Sequence, residues 1–157
     1  MKITAWRITR EKYSREAFSG EGAKRFGGRW NPAGYPAVYL AQHLSLAILE
    51  LIVHLEEHSD IRRFVTIPVS FDHELVQVLP QPQFPTNWSD LPISPTTQMI
   101  GEKWIEKNKH LILQVTSSVV PIENNYLVNP LHPDFPQLEI GSPEPLNIDE
   151  RIARILH

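Results

Sequence analysis

Gly22-Ala23-Lys24-Arg25-Phe26-Gly27-Gly28-Arg29-Trp30-Asn31-Pro32-Ala33-Gly34 is the stretch on which the reading of this chain turns. Five of the chain's seven glycines fall between Phe18 and Gly34. Glycine lets backbone N–H groups turn toward a ligand with no Cβ in the way. Arg25 and Arg29 add guanidinium forks that match phosphate or carboxylate oxygens. Known nucleotide loops do not fit. Gly20-x-Gly22 is followed by glycine only at position 27, which breaks the Rossmann and kinase spacings. Gly22 to Gly27 has the first Walker A spacing, but Gly28-Arg29 stands where Lys-[ST] is required. The alternative is an ordinary arginine-bearing hairpin turn.

The segment joins two predicted strands, Ile3 to Ile8 and Ala37 to Leu40. Further strands are expected at Phe64 to Val69, Leu75 to Leu79, Leu111 to Val120 and Tyr126 to Val128. Pro68 favours an edge or an end for the third strand. Helices are expected from Ser45, as N-cap, to His58, from Gln98 to Lys107, and after Asp149. The fold class is α+β, with strands dominating. Pro80, Pro82, Pro85, Pro92 and Pro95 punctuate a connection of about fifteen residues, a length usually reserved for functional or mobile loops.

Composition sets the bounds. The 157 residues suit a single domain spanning 1–157. Absence of cysteine excludes disulfides, thiol nucleophiles and Cys-based metal sites. No apolar run is long enough to span a membrane. The N-terminus lacks the apolar core of a signal peptide, so a cytoplasmic location is expected. The net charge of −3 hides an asymmetry. Residues 1–29 hold eight basic and three acidic residues; the rest hold seven and fifteen. A basic start on an acidic body favours an anionic ligand there.

Three other constellations carry chemistry. Glu50 is the only charge in Leu46-Ala47-Ile48-Leu49-Glu50-Leu51-Ile52-Val53. This helix is apolar on nearly every side and is expected to be buried, so its carboxylate must pair with a cation or be protonated. Such a group is either a structural ion pair or an acid–base or cation-stabilising residue. His54-Leu55-Glu56-Glu57-His58 matches the H-x-x-E-H pattern, with His54 and His58 on one helix face, so a zinc hydrolase is a distant alternative. Ser117 and Ser118 lie in an apolar strand without a G-x-S-x-G elbow, which argues against a serine hydrolase.

Taken together and in order, Gly22 to Pro32, Ala37-Val38-Tyr39-Leu40, Leu46 to Glu50, Val115 to Val120, Asn125 to His132 and Ile148 to Ile152 resemble the RES domain. This is the toxin half of RES–Xre toxin–antitoxin modules. Thr116 departs from the proline usual before the family's serine. The resemblance implies an ADP-ribosyltransferase-like fold, with two small, roughly perpendicular sheets around an NAD cleft. It implies a toxin that hydrolyses or phosphorolyses NAD, or that ADP-ribosylates a protein. It also implies an Xre-type antitoxin partner occluding the cleft, with no metal, membrane or direct nucleic-acid binding.

The family's Arg-Tyr-Glu set falls on Arg29, Tyr39 and Glu50, implied as catalytic. Arg7, Arg25, Arg29, Tyr39, Ser117 and Asn125 are implied as NAD-binding. Breaking the nicotinamide–ribose bond makes an oxocarbenium-like cation, which a carboxylate such as Glu50 stabilises. Arg29, helped by Arg25 or Arg7, suits the pyrophosphate. Tyr39 suits the nicotinamide ring. Ser117 suits a ribose hydroxyl or the nicotinamide amide. Trp30 is expected in the core. Arg29 and Glu50 are expected to pair when no ligand is bound. A non-catalytic nucleotide-binding or interaction module is the remaining alternative.

Overall fold

A computed structural model describes residues 1–156. Its strands are β1 (Lys2–Arg10), β2 (Val38–Ala41), β3 (Phe64–Asp72), β4 (Val76–Val78), β5 (Ile112–Thr116), β6 (Asn124–Val128), β7 (Glu139–Ile140) and β8 (Glu144–Pro145). Its α-helices are α1 (Glu21–Phe26), α2 (Leu44–His54), α3 (Pro95–Lys107) and α4 (Glu150–Ile155). The hydrogen-bonded order is β4-β5-β6-β2-β1-β3-β7, with β8 also on β3. Among the described residues, β4 and β5 alone pair in parallel.

The path divides in the middle. β1 and β2 pair only at Trp6 and Ala41, whereas β1 and β3 pair along nine residues. The result is two half-sheets, β4-β5-β6-β2 and β1-β3 with β7 and β8, hinged at one residue pair. The period-2 alternation of strands sorts side chains to opposite faces. On the first half-sheet, Val38, Leu40, Ile112, Tyr126 and Val128 join Ala5, Val69 and Phe71 from the second. The opposite face carries Leu113, Val115 and Leu127, which pack with Trp30 and with Trp104 of α3. Cover on both faces explains why the adjacent pairs Ile112-Leu113 and Leu127-Val128 are apolar and buried on both sides of the sheet.

β3 is not an edge strand, because β1 pairs along one side and β7 and β8 along the other; Pro68 sits instead just past the end of the β7 ladder. Its carbonyl accepts from Gly141 N–H at 2.8 Å, on the side away from β1. Its missing donor therefore costs no ladder bond with β1.

Several boundaries differ from the sequence expectation. α2 starts at Leu44 with His43 as N-cap, not Ser45, and stops at His54 because Leu55 is extended. His58 lies beyond the helix at φ 69°. His54 and His58 therefore do not share a helix face, and the H-x-x-E-H geometry fails. α2 also buries only one side. Leu46 and Ala47 pack inward, while Leu49 and Val53 are 44% and 59% exposed. β5 ends at Thr116 because Ser117 begins a turn, accepting from Val119 N–H and Val120 N–H at 3.0 Å each. The glycine-rich segment holds a short helix, α1, rather than a hairpin.

The proline-rich connection is anchored. Phe84 packs edge-on against Trp30 at 4.9 Å, and Trp88 against Phe84 at 5.1 Å. It ends at Ser94, whose hydroxyl caps α3 by accepting from Thr96 N–H.

Candidate active site

A cavity of about 580 Å³ opens between α1, α2 and the β1–β2 junction, a size ordinary for small-molecule sites. The charged residues that line it are Glu16, Glu21, Glu50, Arg7 and Arg29. Glu50 projects from α2 and is half-buried. Its Oε1 accepts the Ser117 hydroxyl at 2.7 Å. Ser117 is fully buried and does not line the cavity; Ser118 does. The Ser117 hydroxyl accepts two backbone N–H bonds and donates its proton to Glu50. The proton and both lone pairs of the hydroxyl are thus taken, and the structure does not bring Ser117 to the cavity wall where the expected ribose or amide contact would lie.

Arg7, on β1, lines the cavity. Its Nε and Nη1 donate to the carbonyls of Ala17 and Ile8 at 3.1 and 3.3 Å. Burial, with no carboxylate to offset it, pulls its pKa down to about 10. A desolvated guanidinium gains from a charge-assisted hydrogen bond to an anion.

Arg29 also lines the cavity, at the proline-rich connection. Its Nη1 donates to the carbonyls of Trp88 and Asp90 at 2.8 and 3.2 Å. Burial lowers its pKa, while the charge of Glu50 acts in the opposite direction. The two groups interact through space, but no ion pair joins them among the described residues. The expected direct pairing is replaced by loop carbonyls for Arg29 and by Ser117 for Glu50. Leu91 and Ile93, from the same connection, reach the cavity wall.

Tyr39 lines the cavity, and its hydroxyl reaches the glycine turn. The hydroxyl donates to Asn31 Oδ1 at 2.6 Å and accepts from Trp30 N–H at 3.1 Å. Burial raises its pKa, so the phenol stays neutral. Asn31 is fully buried, and its Nδ2 bonds the carbonyls of Ala23, Pro32 and Tyr35. A Cβ on Gly28 would stand 2.6 Å from the Tyr39 hydroxyl, which is why glycine is required there. Gln98 Nε2 of α3 holds the Gly28 carbonyl at 3.0 Å. The Gly-Gly-Arg-Trp-Asn-Pro run is thus a knot that aims Arg29. Asn31 sat inside the quoted motif but was not singled out; its burial is a tertiary fact.

The remaining expected residues divide. Asn125 lines the cavity, with its side-chain amide unpartnered among the described residues. Trp30 is 2% exposed and belongs to the core. Arg25 is exposed on α1 and outside the cavity lining. Its helical position turns it away, which spacing alone did not reveal. His54, one turn beyond Glu50, lines the cavity.

Glu50, Arg7 and Arg29 thus meet at the junction of the two half-sheets of an α+β fold. The RES-domain family model matches residues 4–149, and the chain belongs to that family. It is 39% identical to Toxin Res of Yersinia enterocolitica over 142 residues, covering 90% of this chain and 93% of that protein. It is 32% identical to the Prs ADP-ribosylating toxin of Sphingobium sp. over 160 residues, covering 98% and 99%. The Mycobacterium tuberculosis NAD(+) phosphorylase MbcT is 48% identical over 50 residues, which cover 29% of this chain and 27% of MbcT. The crystal structure of the M. tuberculosis MbcT–MbcA toxin–antitoxin complex superposes with a TM-score of 0.76 at 21% identity, covering 99% of this chain and 89% of that one.

Proposed function

We propose that this chain, as one RES domain over 1–157, is the NAD-consuming toxin of a toxin–antitoxin pair, acting in the cytoplasm without a metal. The observation that carries the reading is the Glu50 carboxylate, locked by Ser117 in a cavity that also holds Arg7 and Arg29. Each group matches one demand of the reaction. The bond between nicotinamide and ribose breaks with its electron pair on the nicotinamide nitrogen. The ribose is left with oxocarbenium character, which Glu50 stabilises. Arg7 and Arg29 take the pyrophosphate charge. The Tyr39 ring stacks on the nicotinamide, and the Asn125 amide bonds a polar edge of the substrate.

A second reading, transfer of ADP-ribose to a protein, is favoured by the Sphingobium relative, which matches along its whole length. The same cation serves both, and only the acceptor differs. An Xre-type antitoxin that occludes the cavity would silence either activity. The test is product identification after incubation with NAD, with and without phosphate. Free ADP-ribose means hydrolysis, a phosphorylated ADP-ribose means phosphorolysis, and labelled protein means transfer. NAD binding without any of the three products refutes the enzymatic reading.

A further inference from the structure

His54 belongs to none of the roles above, yet it lines the cavity. It stands at i+4 from Glu50 on α2, so the two Cβ atoms are about 5–6 Å apart on one face. Its Nδ1 is 2.8 Å from the Glu50 carbonyl oxygen. A carbonyl only accepts, so the proton of the neutral ring must sit on Nδ1. Nε2 then carries a bare lone pair and has no partner among the described residues. The backbone thus fixes the tautomer that works as a base.

Four other groups of the cavity are unsuited to the task. Glu50 cannot take the acceptor's proton without losing the charge that stabilises the ribosyl cation. The Tyr39 hydroxyl is committed to Asn31 and Trp30, and Arg7 and Arg29 have no lone pair to offer. Glu16 and Glu21 also line the cavity, but they lie on the segment that holds Arg7 through Ala17, not on α2 beside Glu50.

We infer that His54 is a further catalytic residue, the general base for a protic acceptor such as water or a target's hydroxyl. The inference rests on the NAD-cleavage reading. As the C–N bond to nicotinamide breaks, an acceptor O–H meets the ribose C1′ and a C–O bond forms. The acceptor's proton passes to His54 Nε2 and then to solvent. With water, the products are ADP-ribose, nicotinamide and a proton.

The test uses purified wild-type chain and H54N in phosphate-free buffer, with H54A and E21Q alongside. Asparagine keeps a donor for the Glu50 carbonyl but lacks Nε2. H54N and H54A should release nicotinamide roughly 100-fold more slowly, the low end for a positioned base, with KM for NAD within twofold. Azide, an anionic acceptor with no proton to lose, should restore the rate of both variants. E21Q should stay within threefold of wild type. H54N at the wild-type rate, loss not repaired by azide, or a larger loss in E21Q overturns the assignment. Wild-type cleavage that requires added phosphate overturns His54 and leaves the NAD reading standing. No cleavage by wild type under either condition overturns both.

Discussion

Ser117→Ala separates two accounts of the serine that gives the family one of its letters. The hydroxyl makes three bonds: to Glu50 Oε1 at 2.7 Å, and from Val119 N–H and Val120 N–H at 3.0 Å each. Loss of a hydrogen bond to a charged group costs about 1.5–3 kcal/mol, and each orphaned buried donor adds about 1–3 kcal/mol unless the turn relaxes. Partial relaxation at the start of the turn brings the expected stability loss to about 2–4 kcal/mol. On the chemical side, about 1.5–3 kcal/mol of lost positioning corresponds to roughly 10- to 100-fold in kcat. Ser117 does not line the cavity, so KM for NAD should hardly move. Urea unfolding and steady-state nicotinamide release read the two effects separately. A variant of native stability with raised KM and unchanged kcat would refute the positioning role and restore direct substrate contact.

Arg7→Met keeps the aliphatic stem and removes the charge. KM for NAD should rise roughly 10- to 100-fold, whereas Arg25→Ala, outside the cavity, should stay within twofold; equal effects in the two kinetic assays would sink the distinction. Gly101→Ala places a Cβ 1.4 Å from the Trp30 carbonyl oxygen, so α3 must move, and thermal or urea melts should show a loss of about 3 kcal/mol or more. Tyr39 has a raised folded pKa, so the folded chain holds the phenol proton more tightly than the unfolded chain does. Stability from this group is complete below the ordinary tyrosine value of about 10 and falls as pH rises above it. The wild-type advantage over Tyr39→Phe should therefore shrink above about pH 10 in urea titrations, and a constant difference contradicts the burial of the hydroxyl.

The strands were legible because β-branched and aromatic runs survive into the structure: Ile3 to Ile8, Phe64 to Val69 and Tyr126 to Val128 all lie within observed strands. The glycine segment was legible as a functional element through its composition. Its internal geometry was not, because the Asn31 bonds and the Gly28 contact with Tyr39 join residues by tertiary packing. α2 was read too long because Glu56, Glu57 and His58 do not announce the extended turn at Leu55. The bond from Ser117 to Glu50 is not legible in the sequence, since burial decides what a hydroxyl can reach. Arg25 and Arg29 are equivalent as residue types; only α1 turns one outward while the knot aims the other. β7 and β8 are two residues each and carry no periodicity to detect.

Nicotinamide release from NAD by purified wild-type chain and Glu50→Gln bears most directly on the central claim. The amide is isosteric and retains an oxygen for the Ser117 hydroxyl, so the fold should persist by circular dichroism. The account predicts steady release by wild type and a loss of roughly 100-fold or more in the variant, the scale of one electrostatic group at a reacting centre. Release by Glu50→Gln at the native rate would contradict it.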